Sequence, residues 1–461
     1  MASRSSILLL AALFLFIMTS ETSQANERPN FVIFLTDDQR ADAMSCAGNT
    51  ILQTPNMDRL AREGMRFLNM FVINSLCAPS RATLLTGLYS HVHGVIDNKK
   101  RNIPAEIPIV SDYLRQAGYE VAFCGKSHMA EALRDRTWDY YFGYRGQGDY
   151  LNPRIAESPK LKDIEYSGYV DDIVTDRAVN WLQGKRQKPF CLFLWFKAPH
   201  RPWTRAPRHG HLFRDITIPK PPTYDLRTLG SPGKPKAFHL ADNKIGSFPD
   251  VKSLDQLVKD YYATLVAVDE NVGKVLDVLQ ETGQLNKTAI FLTSDNGFFL
   301  GEWQAFDKRF MHEPSIRVPL LVRYPPLVRE GTTCAKMVLN LDIAPTIMEL
   351  AGLPVPAHMQ GRSLVPLLRG LQPENWRTDW LYEYYEYPGP HKVRKHRGIR
   401  TERYKLIHYY EDPEEFELYD LQNDPEERNN LYAQPGTENL VISLRRRMEE
   451  LRRETRDPEI K

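Results

Sequence analysis

The chain has 461 residues, 42% of them hydrophobic and 26% charged, which supplies a globular core and excludes a disordered or fibrous protein. Its 60 Lys and Arg against 58 Asp and Glu leave a formal charge of +2. That balance argues against a protein that coats nucleic acid or an anionic membrane through bulk charge, so any preference for anions is local.

Arg4 precedes an unbroken apolar run from Ile7 to Met18, and the polar stretch after it ends in Ser23-Gln24-Ala25. This reads as a secretory signal peptide over residues 1–25, because the run is shorter than the roughly 20 residues that span a bilayer. The mature protein is expected to be exported, periplasmic or secreted (lysosomal in a eukaryote), with no membrane attachment after cleavage. From Arg28 short apolar runs alternate with helical stretches, the pattern of βαβ units and a mainly parallel sheet. Strands are expected at Phe31–Thr36, Glu120–Cys124, Pro189–Phe196 and Thr288–Ser294, and helices at Pro55–Glu63, Ser111–Ala117, Val170–Gln183 and Leu254–Glu281. Residues 202–249 are rich in Pro, Gly, Lys and Arg and read as a functional loop or lid. After Pro373 aromatic and charged residues alternate, which predicts a small antiparallel sheet closed by a helix from about Asn439 to Arg453. The expected organisation is a catalytic domain over 26–372 and a C-terminal subdomain over 373–461.

The five cysteines are Cys46, Cys77, Cys124, Cys191 and Cys334. They are too sparse for a disulfide scaffold, none has zinc spacing, and an odd number leaves at least one free.

Polar clusters follow the carboxyl ends of the expected strands, where open α/β sheets collect ligands. Asp37-Asp38 follows the first strand and Asp295-Asn296 follows the strand from Thr288. Either pair alone reads as a helix cap or Asx-turn. Together they offer three carboxylates and an amide oxygen, an all-oxygen set suited to Ca²⁺ or Mg²⁺. Cys77-Ala-Pro-Ser-Arg81 opens a helix that Gly87 ends, placing the cysteine where free N–H groups are expected to lower a thiol pKa, with Arg81 one turn on. A buried or bridged helix-start cysteine is the plainer reading of that motif alone. Cys124-Gly-Lys-Ser-His128 adds the Lys126 ammonium and the His128 imidazole, Ala198-Pro-His200 another imidazole, and Lys308 a further ammonium.

In this order, Cys77-Ala-Pro-Ser-Arg81 with Thr86-Gly87, Asp37-Asp38, Gly125-Lys126-x-His128, Ala198-Pro-His200, Ser294-Asp-Asn-Gly297 and Lys308 before Glu-x-Ser-x-Arg-Val-Pro319 resemble the type I sulfatase family. The resemblance runs from about Arg28 to Tyr432 and departs at Ser127, where the family commonly has Trp. It implies an alkaline-phosphatase-like fold, a large mixed, mostly parallel sheet flanked by helices, with a smaller antiparallel C-terminal sheet. It also implies that a maturation enzyme oxidises Cys77 to formylglycine. Asp37, Asp38, Asp295 and Asn296, with residue 77, then hold Ca²⁺ or Mg²⁺. Arg81 and Lys126 stabilise the ionised hydrate, while Lys308 and His200 contact the sulfate. His200 is assigned as acid to the departing alcohol, and His128 as the base that helps expel sulfate.

Tyr384–His391 and Gly398–Lys405 look like bacterial glycan sulfatases, especially those acting on 6-sulfated N-acetylglucosamine. His391 and Arg394, in the basic run His391–Arg397, are the candidate contacts to a sulfated sugar; a solvated sheet edge is the equal alternative. Trp203, Trp303 and the tyrosines near Tyr384 are candidates for stacking on a pyranose or for core. Two rivals stay open: a phosphomonoester or phosphonate hydrolase on the same scaffold, and a non-catalytic glycan-binding protein in which Cys77 stays a thiol or forms a disulfide.

Overall fold

The computed structural model describes residues 28–460 except 100–101, 130–132, 229 and 231–232; the expected signal peptide lies outside the described residues. Sixteen strands form among these: β1 Asn30–Thr36, β2 Met65–Phe71, β3 Glu120–Lys126, β4 Tyr140–Tyr144, β5 Arg154–Glu157, β6 Lys162–Glu165, β7 Phe190–Trp195, β8 Thr288–Ser294, β9 Phe299–Leu300, β10 Phe306–Asp307, β11 Arg317–Arg323, β12 Thr332–Leu339, β13 Asp379–Tyr384, β14 His396–Thr401, β15 Tyr404–Tyr409 and β16 Glu415–Asp420.

A ten-stranded sheet runs in the order β12-β2-β11-β8-β1-β7-β3-β4-β5-β6. The central run β8-β1-β7-β3-β4 is parallel throughout, whereas β11 is antiparallel to both its neighbours and β4-β5-β6 is antiparallel. The expected mixed, mostly parallel sheet is therefore present. Strand β1 alternates between its two faces as a pleated strand must: Phe31, Ile33 and Leu35 enter one core, Val32 and Phe34 the other. The first core takes the helices Cys77–Thr86, Val110–Gln116 and Ile343–Leu350; the second takes Pro55–Arg62, Val170–Leu182 and Leu254–Glu281. The four-stranded antiparallel sheet β13-β14-β15-β16 stands apart, with the helix Glu438–Glu454 packed against it. No helix among the described residues is long and apolar enough to cross a membrane.

The segment 202–249 contains only short helical turns, as expected, but it is packed rather than lid-like: Trp203 and Ile218 join a third core cluster, with Phe213, Tyr224 and Phe248 packed against it. Lys234 is buried, 3.7 Å over the Trp303 ring, and donates to Tyr419 Oη at 2.7 Å and His312 Nε2 at 2.8 Å, with Glu417 at 3.4 Å. Burying a charge that thoroughly requires partners, and here the stretch from Trp303 to His312 and the C-terminal sheet supply them.

A second tie joins the C-terminal sheet to the main domain. Glu383 of β13 accepts from Ser90 N at 2.7 Å and pairs with His91 Nδ1 at 2.6 Å, while His91 Nε2 faces the Thr455 carbonyl at 2.8 Å. Burial lowers the imidazole pKa, but the Glu383 charge and hydrogen bond outweigh it and raise His91 to about 9. Such a histidine stabilises the fold fully below its unfolded value near 6.5 and loses that contribution as pH rises through about 9. His91→Gln is expected to remove about 3 kcal/mol at most at pH 6 and little at pH 10, read by denaturant unfolding.

Candidate active site

Register explains why the two acidic pairs meet. Strands β1 and β8 are parallel neighbours with Thr36 opposite Ser294, so the residues that follow emerge side by side. Asp295 N donates to Thr36 O at 3.1 Å, Asp38 N to Asp295 Oδ1 at 3.1 Å and Gln39 N to Ser294 Oγ at 2.8 Å. Asp38 adopts a left-handed backbone (φ 75°), a strained turn for a non-glycine residue that folds its carboxylate into the cluster. Across β1, strands β7 and β3 end at the same level, delivering Lys126, His128 and His200. Gly125 is required there: its φ is 112°, and a Cβ would lie 1.9 Å from the Trp195 carbonyl oxygen.

The helix Cys77–Thr86 ends on Gly87 in the left-handed conformation, as its sequence indicates. Its first residue enters the cluster: Cys77 Sγ lies 3.5 Å from Asp37 Oδ1 and 3.7 Å from Asn296 Nδ2. One ligand atom from each of Asp37, Asp38, Cys77 and Asp295 falls within 4.8 Å of the others, all buried. None of the five cysteines is disulfide-bonded. The expectation of an activated thiol is corrected: burial, reinforced by Asp37, pushes the Cys77 thiol well up, outweighing the helix terminus. A thiol so placed is inert.

Three basic side chains close around the carboxylates. Arg81 donates through Nε to Asp295 Oδ2 at 2.8 Å, lies 3.3 Å from Asp37 Oδ2 and donates to the Lys126 carbonyl at 2.6 Å. Lys126 donates to Asp37 Oδ2, and Lys308 to Asp38 Oδ2 at 2.6 Å. Burial opposes ionisation of Asp37, but Lys126, His200, Arg81 and Lys308 together hold it well below the usual carboxylate range. Asp38 goes the other way: burial, with Asp37 and Asp295 nearby, raises it to about 7 against the pull of Lys308. Asp295 is likewise raised, by burial and then by Asp37.

His200 sits at the outer edge, its side chain 12% exposed and its Nε2 3.9 Å from Asp38 Oδ2. Its Nδ1 faces the Arg201 carbonyl, which can only accept, so the neutral ring carries its proton there. Burial, then Lys126 and Lys308, hold its pKa well below 6.5. His128, also in a left-handed backbone (φ 53°), reaches the site from beyond Lys126.

Each residue assigned to catalysis or metal from the sequence is thus within this cluster or at its rim. The sugar contacts fare differently. His391 is buried beside Asp307, 3.6 Å from its Oδ1 and next to Lys308. Arg394 is corrected: it is buried, and both terminal nitrogens donate to the Glu411 and Pro413 carbonyls between β15 and β16 at 2.6 and 2.9 Å. The other Lys and Arg side chains of the basic run are paired within the chain, Lys392 with Asp242, Lys395 with Glu411 and Arg397 with Glu459. Trp203, Trp303 and Tyr384 are core. Three residues escaped the sequence reading. Asp171 accepts from Lys197 N and Ala198 N at 2.8 and 3.1 Å and shapes the turn before His200. Lys197 donates to the Gln147 carbonyl at 2.9 Å, and Gln147 bridges Lys126 and His128.

The sulfatase family model matches residues 29–353, and a model for the C-terminal region of N-sulphoglucosamine sulphohydrolase matches 301–454. An N-acetylglucosamine-6-O-sulfatase of Bacteroides thetaiotaomicron is 37% identical over 99% of this chain and 92% of its own length. A human N-acetylglucosamine-6-sulfatase is 32% identical over 77% of this chain and 67% of its own. A solved protein in complex with its substrate D-glucosamine-2-N,6-O-disulfate superposes with a TM-score of 0.87 at 36% identity, covering 94% of this chain and 99% of that one.

Proposed function

Because the chain belongs to the sulfatase family, we propose that it removes the 6-O-sulfate from N-acetylglucosamine in a sulfated glycan. It is a sulfatase, an enzyme that hydrolyses sulfate esters. The substrate reading is supported by the relatives whose names carry that sugar and by the superposed complex with a 6-sulfated glucosamine. The observation that carries the chemistry is the convergence of Cys77 Sγ with three buried carboxylates.

The donor set fits a hard divalent cation. Three carboxylates crowd together where two of them are pushed toward protonation, and the buried Oδ1 of Asn296 has no hydrogen-bond partner. Asp37, Asp38, Asp295 and Asn296, with residue 77, would hold Ca²⁺ or Mg²⁺, which draws electron density from the sulfate oxygens and lowers the pKa of the hydroxyl at position 77. Without it, three carboxylates balance Arg81, Lys126 and Lys308; with it, the site carries an excess of +2 and suits an anionic ester.

Oxidation of Cys77 to formylglycine by a maturation enzyme makes sense of the inert thiol: the hydrated aldehyde supplies one hydroxyl to displace the alcohol from sulfur and a second whose deprotonation lets sulfate leave. Arg81 and Lys126 stabilise negative charge developing at position 77, and Lys308 neutralises a sulfate oxygen. His200 has its Nε2 toward the opening. An anionic ester arriving beside it favours the imidazolium, and the proton then passes to the departing alcohol oxygen. His128 takes the hydroxyl proton in the release step. His391, 3.6 Å from the Asp307 carboxylate that precedes Lys308, is the candidate contact to the sugar. The expected leader over residues 1–25 supports export to the periplasm or cell exterior.

Purified protein is expected to release sulfate from 6-O-sulfated N-acetylglucosamine faster than phosphate from the matched phosphate ester. His200→Ala should slow this poor leaving group by about two to four orders of magnitude and an activated nitrophenyl sulfate far less. Full turnover of the sugar sulfate by His200→Ala would remove it as the acid.

A further inference from the structure

Among Asp37, Asp38, Asp295 and Asn296, it is Asp38 whose backbone lies in the left-handed region, at φ 75°. A side chain more than two hundred residues away secures it. Leu254, Leu257, Val258, Tyr261 and Leu265 recur at the spacing of one face of the helix Leu254–Glu281 and enter the third core cluster, where Tyr261 is fully buried. A phenol sealed in a core needs partners for its hydroxyl. It finds them in the chain beyond β1: Tyr261 Oη donates to the Asp38 carbonyl at 2.7 Å and accepts from Arg40 N at 3.0 Å.

The peptide between Asp38 and Gln39 is thereby held at both ends. Its oxygen takes the Tyr261 hydroxyl, and its nitrogen, Gln39 N, donates to Ser294 Oγ at 2.8 Å. The preceding peptide is anchored as well, through Asp38 N to Asp295 Oδ1 at 3.1 Å. Because peptide units are planar, fixing the two that flank Asp38 fixes both of its soft dihedrals and so the direction of its Cα–Cβ bond. A left-handed aspartate persists only where its surroundings over-determine it. The ring extends the same support to the second acidic loop: Tyr261 stacks on Phe298, centroids 6.1 Å and planes 29° apart, two residues after Asn296. One side chain thus touches both loops that carry the donor set.

We propose that Tyr261 is a positioning residue for the divalent cation, its hydroxyl clamping, together with Ser294, the peptide that aims the Asp38 carboxylate. This rests on the cation site proposed above and deepens it. Loss of the hydroxyl leaves the buried Asp38 carbonyl and the nearby Arg40 N–H without their partner. The turn then relaxes from the left-handed region, and the Asp38 carboxylate withdraws from the other donors. The consequence is a weaker hold on the cation, regained by raising its concentration.

Tyr261→Phe keeps the ring on Phe298 and removes the hydroxyl. Tyr262→Phe is the control, since that neighbouring hydroxyl accepts from Asn49 Nδ2 at 3.0 Å instead of holding the Asp38 turn. Protein stripped of divalent cations is titrated calorimetrically with Ca²⁺ and, separately, with Mg²⁺. Tyr261→Phe is expected to raise the dissociation constant about 10–100-fold. The cation concentration for half-maximal sulfate release should rise by the same factor, with kcat at saturating cation within about threefold of the parent. Tyr262→Phe is expected to leave the constant within about twofold. A Tyr261→Phe constant within about twofold of the parent overturns the assignment, even if the unfolding midpoint falls, because a merely structural hydroxyl produces that pattern. So does an equal rise in Tyr262→Phe, which marks a general loosening of the helix. If Tyr261→Phe does not fold, Ser294→Ala frees the nitrogen of the same peptide and is held to the same criteria. A parent that takes up neither ion overturns the cation reading itself, and the parent titration, run first, separates that failure from this one.

Discussion

Cys77→Ala is expected to abolish sulfate release while leaving the protein folded. The loss should be on the order of 10⁴-fold or more, the scale at which removing a nucleophile leaves only binding and electrostatic contributions. The thiol makes few demands on the fold: its Sγ contacts Asp37 and Asn296 at 3.5 and 3.7 Å, long distances for polar contacts, so its removal should cost about 1 kcal/mol. The contrast between intact fold and lost turnover is the informative part. The buried thiol is held protonated by desolvation and by Asp37, which fits the proposal that the oxidised form of residue 77 carries the activity. Sulfate release measured at saturating substrate, beside the unfolding midpoint, decides this. A Cys77→Ala protein turning over at the parent rate would mean that the nucleophile lies elsewhere.

Stripping divalent cations is expected to have the next largest effect, on the order of 10²–10³-fold in rate, the range associated with removing a preorganised charge from a developing oxyanion. It should also lower the unfolding midpoint. Asp38, raised to about 7 by burial and by its acidic neighbours, is hydrogen-bonded in the protein alone by Lys308 and the Asn296 amide. A cation at 100 times its dissociation constant would add about 2.7 kcal/mol of stability. Ca²⁺ or Mg²⁺ should restore both rate and midpoint, as the all-oxygen donor set requires. Undiminished activity after chelation, with metal content verified, would contradict the assignment of the carboxylates.

How much of this was legible in the sequence depends on range. The apolar runs at Phe31 and Thr288 give two strands directly, and the acidic pair after each is visible at once. That Thr36 and Ser294 stand opposite each other is a property of strand order, which no local pattern encodes. Strands β2, β11 and β12 are hidden in the sequence because their apolar residues are interrupted by Arg66, Asn69, Pro319 and Lys336; β11 gains its place by pairing with β8, β2 by pairing with β11 and β12 by pairing with β2. The helix-start position of Cys77 was read correctly, and its electrostatics in the wrong direction, because desolvation outweighs a helix terminus once the residue is sealed in. Arg394 looked like a ligand contact on charge alone, yet its hydrogen bonds go to backbone carbonyls across a turn. Gln147 carries no charge and no family motif, and only its contacts with Lys126, His128 and Lys197 reveal it.

The central claim is that residue 77 works as an aldehyde. The most direct test is the mass of the peptide spanning Ala78 and its neighbours, taken from active protein produced with its maturation enzyme. The account predicts that this peptide carries an aldehyde in place of the Cys77 thiol, in proportion to specific activity across preparations. A fully active preparation in which the same peptide retains an intact thiol would contradict it.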